Sequence, residues 1–295
     1  MNDQPAIVCY GVIGVDRLIR VSRFPERDGH ARVLEETECV GGEAANTAVS
    51  LCGLGHRVRL AGNRIGEDPA GRFLRTELET VRGLDLACLE SEPDRITGHA
   101  VILSDPDGAR TILGAFPDLT ASALTEKDLD GAQVLSVDPF LGERAVEAAE
   151  LARARGLTVV SIELSEGHPL GGFADIVINS SGFARRHERV DPDRVAAGLL
   201  SSGVGLFILT KGADGCVVYT PEERFDVPAF DVEAIDTTGA GDAFRAGLIH
   251  GVLTEAGIRE SVLFGSAVAS ITCCEIGGCG HVFDEETVLK RARGA

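Results

Sequence analysis

Residues 236–244 read Asp236-Thr237-Thr238-Gly239-Ala240-Gly241-Asp242-Ala243-Phe244. An apolar run follows directly, which predicts that the glycines lie at the N-terminus of a buried helix. Unpaired backbone amides and the helix dipole at such a terminus bind anions. The stretch therefore predicts an anion hole formed by the backbone of Gly239, Ala240 and Gly241.

Asp242 places a carboxylate beside the same predicted anion site. A bound phosphate repels a carboxylate, so stability alone does not favour this arrangement. The carboxylate can, however, take a proton from an attacking hydroxyl while the amides hold the charge on a transferring phosphoryl group. We interpret Asp242 as the catalytic base of a phosphoryl transfer. The alternative is a glycine-rich turn with an ordinary Asp at the helix N-terminus.

The rest of the chain predicts an α/β fold. Short, nearly continuous runs of Val, Ile and Leu alternate with helical patterns, which is typical of parallel β-α-β units in a doubly wound sheet covered on both faces. These runs are residues 6–13, 57–61, 133–137, 157–162, 175–178 and 206–210. Two stretches with shorter, partly alternating patterns, about 16–40 and 96–119, predict a small antiparallel sheet that forms a lid. We expect a single domain over residues 1–295.

Charge and composition exclude several functional classes. The net charge of −18 argues against nucleic acid, whose phosphates require a basic surface. No apolar run reaches the roughly 18–20 residues that span a bilayer, so no membrane partner is expected. The eight cysteines contain no CxxC pair, which favours reduced, buried thiols and a cytoplasmic location.

A second glycine motif occurs about 190 residues before the first, and together the two carry a family resemblance. It reads Gly41-Gly42-Glu43-Ala44-Ala45-Asn46-Thr47-Ala48. With residues 236–244 it resembles the paired signatures of the ribokinase-like, or PfkB, carbohydrate kinases. Residues 108–111 and 264–280 are most similar to the ketohexokinase and sulfofructose kinase branches.

The resemblance implies a Rossmann-like sheet with a β-lid, MgATP as phosphoryl donor, a small sugar as acceptor, and a homodimer formed through the lid. It implies that Asp242 is the base and that residues 239–241 form the anion hole. The residues implied to contact the acceptor are Asp16, Gly41, Gly42, Asn46 and Arg110, the last reaching from the lid toward phosphate. Those implied to contact the nucleotide are Thr210, Lys211, Gly212, Gly215 and Thr238, with Asp236 near a monovalent cation such as K⁺.

The sequence departs from the family pattern at three positions. Gly182 stands where many members carry a Glu that organises magnesium, and Glu163, at the end of another core strand, could assist the ion instead. Glu43 lies beside the predicted acceptor site, and its charge would disfavour a phosphorylated acceptor. We interpret Arg245, directly after the signature, as an outward-facing helix residue without a role in the site.

Two other functions remain open at this stage. A nucleoside kinase of the same family would phosphorylate a ribose hydroxyl, and a catalytically weak sugar or nucleotide sensor would fit the missing Glu. A P-loop kinase is excluded because the chain lacks GxxxxGK[ST], and a dinucleotide-dependent dehydrogenase is disfavoured because no GxGxxG follows the first strand. The sequence does not specify the acceptor or the hydroxyl that is phosphorylated.

Overall fold

The computed structural model describes residues 6–106, 110–187, 191–278, 283 and 285–293. Parts of the two segments that carry the resemblance to the ketohexokinase branch, residues 108, 109, 279 and 280, lie outside this set. The strands are β1 Ile7–Gly11, β2 Gly14–Val21, β3 Val33–Gly41, β4 Val58–Gly62, β5 Ile65–Gly66, β6 Leu84–Cys88, β7 Ser91–Glu92, β8 His99–Ser104, β9 Arg110–Ala115, β10 Val134–Val137, β11 Thr158–Ile162, β12 Ile176–Ser180, β13 Leu206–Thr210, β14 Cys216–Tyr219 and β15 Arg224–Val227. The helices are α1 Glu43–Gly53, α2 Pro69–Glu79, α3 Glu143–Ala154, α4 Ser181–His187, α5 Pro192–Ser201, α6 Ala240–Leu253, α7 Ile258–Thr272 and α8 Glu285–Arg293.

The main sheet has the predicted doubly wound form. Its strand order in the described residues is β15-β14-β13-β12-β11-β10-β1-β4-β6, with antiparallel pairing only between β13, β14 and β15. From β1 the chain builds toward β4 and β6 on one side, and from β10 toward β13 on the other. The carboxyl ends of β1 and β10 are therefore a topological switch point, where open α/β sheets bind ligands.

The sheet is covered on both faces because successive side chains of each strand point to opposite sides. Ile7 and Cys9 of β1 pack into a core shared with α1, α6 and α7. Val8 and Tyr10 pack into a second core shared with α3 and α5. This arrangement explains why the strands are apolar without alternation. None of the described helices is long and apolar enough to cross a membrane.

A separate four-stranded sheet forms the lid, in the order β3-β2-β8-β9. The expectation of an antiparallel lid is wrong in one respect, since β2 and β8 pair in parallel. The lid consists of two antiparallel hairpins, β2-β3 and β8-β9, joined side by side. Each hairpin is contiguous in sequence, but their mutual pairing is long-range and leaves no local pattern.

The helix termini follow their sequence signals. Asp68 caps α2 and accepts a hydrogen bond from the amide of Gly71 at 2.8 Å, with Pro69 at the first helical position. The same carboxylate accepts hydrogen bonds from the backbone amide of Thr97 at 3.0 Å and from its hydroxyl at 2.7 Å. Thr97 is buried, two residues before lid strand β8. Asp68 therefore joins α2 to the base of the lid.

Replacing Asp68 with Ala is expected to lower the free energy of unfolding by about 2–3 kcal/mol, because one helix cap and one buried amide partner are lost together. Urea denaturation measures the change. The control is Asp191→Ala, which removes the cap of α5, where Asp191 accepts one hydrogen bond from Asp193 at 3.1 Å, and should cost about 1 kcal/mol. Equal losses in the two variants would contradict the second role of Asp68.

Candidate active site

The N-terminus of α6 has the predicted geometry of an anion site. Gly239 is the N-cap with φ of 70°, a left-handed conformation that favours glycine, and a Cβ atom on it would overlap the backbone of Gly278. Gly241 is exposed, and the place of its missing Cβ is open space. First-turn amides lack helical acceptors, although the amide of Ala240 already donates to the carbonyl of Thr237 at 3.3 Å. The terminus can therefore accept a phosphate next to Gly241.

Asn46 joins the two glycine motifs. Its Nδ2 donates a hydrogen bond to Oδ2 of Asp242 at 3.2 Å, across a sequence separation of 196 residues. Asn46 is only 4% exposed, and its buried Oδ1 has no hydrogen-bonding partner among the described residues. A buried amide oxygen without a partner is costly, so this atom is suited to accept a hydrogen bond from a ligand hydroxyl.

Asp16 lies on lid strand β2 and points toward the same region. Its carboxyl group occupies the space that a side chain at Gly41 would need. Gly42, with φ of 90°, starts α1 against the carbonyl of Val12, so its backbone is tightly held. The predicted acceptor residues Asp16, Gly41, Gly42 and Asn46 are therefore brought together at one end of α1.

The electrostatics of Asp16 differ from those of a surface carboxylate. Burial raises its pKa to about 7, with further increases from the negative charges of Asp242 and Asp236 and a decrease from Arg110. No group among the described residues donates a hydrogen bond to this carboxylate. The folded protein without ligand thus holds a polar group that a sugar hydroxyl could satisfy.

Arg245 does not point outward, so that interpretation is wrong. Its side chain is fully buried, with Nη1 at 2.6 Å from Oδ1 of Asp138 and Nη2 at 3.3 Å from Oδ1 of Asp242. Nε donates to the hydroxyl of Thr47 at 2.9 Å, and Nη2 also donates to the carbonyl of Glu43 at 2.6 Å. Helix α6 is buried on all sides from Ala243 to Gly251, so it offers no solvent-facing side at this position.

Asp242 carries a charge only with the help of these neighbours. Burial raises the pKa of its carboxyl to about 6, while the guanidinium of Arg245 and the hydrogen bond from Asn46 lower it. The negative charge of Asp138 acts in the opposite direction. Asp242 is therefore mostly ionised at pH 7, as a general base must be.

Burial raises the pKa of Glu43 to about 8, the negative charges of Asp138 and Asp242 add to the increase, and the guanidinium of Arg245 lowers it. The protonated form of Glu43 is therefore favoured near neutral pH, which weakens the predicted repulsion of an anionic acceptor. The crowding of acidic groups, which a linear sequence does not reveal, contributes to the increase.

Arg110 extends from lid strand β9 to the main domain. Its Nη1 donates a hydrogen bond to the carbonyl of Thr237 at 2.6 Å, and the residue is exposed. The guanidinium thus lies beside the loop that leads into the anion site. The contact fits the predicted reach toward phosphate, and that role stays a prediction.

The predicted nucleotide residues lie at the end of β13 and in the turn that follows. The hydroxyl of Thr210 donates to the carbonyl of Asn179 at 3.3 Å, and the amine of Lys211 contacts Asp226 at 3.4 Å. Gly212 faces open space, whereas a Cβ on Gly215 would overlap the carbonyl of Val227. Gly215 thus also has a structural reason to be glycine.

Asp236 and Thr238 form a local turn. Oδ1 of Asp236 accepts hydrogen bonds from the amide of Thr238 at 2.9 Å and its hydroxyl at 2.8 Å, and Oδ2 accepts one from the amide of Gly277 at 3.0 Å. These contacts shape the loop before α6. Contact of Thr238 with the nucleotide and of Asp236 with a monovalent cation stay predictions.

Glu163 lies close to the position of the missing acidic residue. It follows β11 with φ of 51°, an uncommon conformation for a residue other than glycine. The hydroxyl of Ser180 donates to its Oε1 at 3.3 Å, and Gly182 is two residues further on. A carboxylate is thus available at the carboxyl edge of the sheet near Gly182.

Comparison with known proteins identifies the family. A profile described as pfkB family carbohydrate kinase matches residues 4–167 and 174–282. The chain belongs to this family. The assignment confirms the predicted enzyme class, an ATP-dependent kinase that phosphorylates a sugar.

Individual relatives of this kinase cover nearly its whole length. It is 30% identical over 285 residues to the ATP-dependent ribose-1-phosphate kinase of Halopiger xanaduensis, covering 90% of this chain and 91% of that one. It is 27% identical over 313 residues to the nucleoside kinase of Methanothermobacter thermautotrophicus, covering 99% and 96%. The structure of Arabidopsis thaliana ribokinase complexed with ribose and ATP superposes with a TM-score of 0.79 at 21% identity, covering 98% and 99%. This last likeness confirms the ribokinase fold.

The sequence did not reveal three residues beside Asp242: Asp138, Thr47 and the buried Arg245 that contacts them all. Two signals were available. Asp138 directly follows a buried strand at the carboxyl edge of the sheet, where functional residues of α/β folds concentrate. Arg245 interrupts an otherwise apolar helix, and a charge in such a position is buried only if it is paired.

Replacing Asp16 with Asn is expected to stabilise the ligand-free kinase at pH 8 more than at pH 5. The folded-state pKa of about 7 exceeds the ordinary value of 3.8, so the ionised carboxylate reduces stability as the pH rises through 7. Urea denaturation at both pH values measures the difference. The exposed Asp94→Asn is the control and should show none, and an equal change of Asp16→Asn at both pH values would contradict the assignment.

Proposed function

We propose that this kinase transfers the γ-phosphoryl group of MgATP to a hydroxyl of a ribosyl compound, with Asp242 as the general base. The hydrogen bond between Asn46 and Asp242 is the observation that carries the proposal. It brings the motif of residues 41–48 and the anion site of residues 239–241 to one point. There the amide oxygen of Asn46, which has no partner among the described residues, lies beside the carboxylate of Asp242. These are the groups that a hydroxyl acceptor and its proton require.

The proposed reaction is a single displacement. Asp242 takes the proton of the acceptor hydroxyl as its oxygen attacks the γ-phosphorus of ATP, the bond between the γ-phosphorus and the bridging oxygen breaks, and ADP leaves. The first-turn amides of α6 stabilise the charge on the transferring group. Asn46 and Asp16 orient the acceptor through its hydroxyls.

A ribosyl acceptor is favoured by the relatives and permitted by the charges of the site. The relatives described above act, by name, on ribose 1-phosphate and on nucleosides, which share the ribosyl group. Because the raised pKa of Glu43, about 8, favours its neutral form, its repulsion of a phosphorylated sugar is weakened, and Arg110 supplies a cation from the lid. We therefore place ribose 1-phosphate first and a nucleoside second.

Magnesium is expected to enter with ATP and to keep most of its water ligands. When bound, it neutralises charge on the phosphates of the nucleotide. Glu163 is the carboxylate that we propose to contact its hydration shell, in place of the Glu absent at Gly182. Thr210, Lys211, Gly212, Gly215 and Thr238 remain the proposed nucleotide contacts, and K⁺ at Asp236 remains a weaker proposal.

The test is ADP release with MgATP against ribose 1-phosphate, inosine, D-ribose and D-fructose. Asp242→Asn is expected to lower kcat by roughly 10²–10⁴-fold, because the general base is lost, while the protein stays folded and binds ATP. Glu260→Gln is the matched control, since Glu260 is an exposed acid in the first turn of another helix, α7. It should retain wild-type turnover.

The outcomes discriminate between the functions. Turnover of ribose 1-phosphate that disappears in Asp242→Asn supports the proposal, and turnover of inosine alone supports a nucleoside kinase. Binding of ATP without turnover of any acceptor favours the sensor. Wild-type turnover by Asp242→Asn would exclude Asp242 as the base.

A homodimer formed through the lid and a cytoplasmic location are also proposed. The lid exposes large apolar side chains: Val33 by 51%, Leu34 by 42%, Ile112 by 53% and Leu113 by 57%. Exposed apolar surface of this kind is typical of interfaces. Leu113→Asp is expected to convert a dimer to a monomer in light scattering, whereas Ile258→Asp, away from the lid, should not. A wild-type monomer at all concentrations would contradict the dimer.

A further inference from the structure

Arg245 uses its guanidinium to join three parts of the molecule. It contacts Asp138 after β10, the first residues of α1 through Glu43 and Thr47, and Asp242 in its own helix. The contacts are 2.6 Å to Asp138, 2.6 Å to the carbonyl of Glu43, 2.9 Å to the hydroxyl of Thr47 and 3.3 Å to Asp242. A planar, always-charged fork is the side chain that can satisfy such divergent acceptors.

Asp138 fixes this guanidinium to the sheet. It is fully buried, its amide donates to the carbonyl of Tyr10 at 3.0 Å, and its Oδ2 accepts from the amide of Val12 at 2.9 Å. Its Oδ1 remains for Arg245 at 2.6 Å. The pair therefore lies at the switch point between β1 and β10, and both oxygens of Asp138 have fixed partners.

We infer that the Asp138–Arg245 pair positions the general base, with Arg245 holding Oδ1 of Asp242 while Asn46 holds Oδ2. The inference rests on the proposed role of Asp242. Two donors on opposite oxygens define the orientation of the carboxylate, and Asp138 defines where the first donor lies. Arg245 and Asp138 act through Asp242 and are positioning residues.

A purely stabilising role does not account for this arrangement. Buried ion pairs contribute little net stability, because the cost of desolvation cancels much of the attraction. The cluster contains an excess of acids instead. Asp242 faces Glu43 of α1, Asp138 after β10 and Asp16 of the lid, and the only other cation that faces it from the described residues is the exposed Arg110.

The charges make opposite predictions for the two members of the pair. Arg245 lowers the pKa of Asp242 and of Glu43, whereas Asp138 raises both. Because these carboxyls titrate together, the fall of kcat/KM on the acidic side of its pH profile, the acidic limb, reports the pKa of the cluster and not of one residue. Loss of the cation must move this limb to higher pH, and loss of the anion must move it to lower pH.

The experiment compares Arg245→Met, Asp138→Asn and the double variant, using the acceptor with the highest turnover in the panel above. The acidic limb of wild-type kcat/KM is expected near pH 6, as the pKa of Asp242 indicates. It should shift up in Arg245→Met, down in Asp138→Asn, and lie slightly above wild type in the double variant, because Arg245 affects the pKa of Asp242 more than Asp138 does. We expect kcat at pH 8 to fall by roughly 10- to 100-fold wherever Met replaces Arg245, since the base loses its alignment, with the KM for ATP unchanged.

Thermal unfolding separates positioning from stability. Arg245→Met removes the partner of Oδ1 of the buried Asp138, whose Oδ2 keeps the amide of Val12. This variant should lower Tm most, and the double variant should recover part of that loss. The control is Arg59→Met in β4, which breaks the partly buried pair with Asp85 of β6 and should lower Tm without moving the acidic limb. If Arg245→Met does not fold, the double variant and Asp138→Asn still carry the test.

The inference is supported if the acidic limb moves in opposite directions in the two single variants and kcat stays low in the double variant. Wild-type kcat and an unshifted limb in the double variant, while Asp242→Asn is inactive, would overturn the inference alone. Wild-type turnover by Asp242→Asn would overturn the proposed function and the inference with it.

Discussion

Much of this structure depends on burying carboxyl groups where the two glycine motifs meet. Asp138, Asp242 and Glu43 lie within reach of one guanidinium, that of Arg245, which is fully buried. Ionised acids cannot remain close together in a poorly solvated site unless some are protonated or paired. Both occur here: the pKa of Glu43 is raised to about 8, which favours its protonated form, and Asp138 is paired with Arg245.

This arrangement of charges explains how the carboxylate of Asp242 can be kept reactive. A base that abstracts a proton near neutral pH works best when its own pKa is close to the working pH. Burial raises the pKa of Asp242, and the cation of Arg245 limits the increase, so that this pKa is about 6. The surrounding acids thus raise the pKa of the proposed base as well as crowd it.

The backbone complements these side chains. A chain with a net charge of −18 must hold an anionic nucleotide with local positive potential, and the N-terminus of α6 offers amides and a helix dipole for this purpose. Gly239 allows the loop to pack against Gly278, while Gly241 leaves open space beside the terminus. The lid adds Asp16, which we propose to contact the acceptor, and Arg110 beside the same loop. The sheet, α1, α6 and the lid therefore each supply one part of the site.

The sequence by itself determined the features that depend on neighbours along the chain. Apolar runs revealed the parallel strands, Asp68 and Pro69 the start of α2, and Gly239 to Asp242 the start of α6, because local burial and capping leave local patterns. The similarity of both motifs to a known family indicated the enzyme class and predicted that Asn46 and Asp242 lie in one site.

Only the tertiary structure decided the partners of Arg245, the raised pKa of Glu43 and the parallel pairing of the two lid hairpins. Arg245 meets Asp138 across 107 residues and Thr47 across 198. No periodicity records such contacts, and the pKa of a buried acid depends on every charge that folding brings near it.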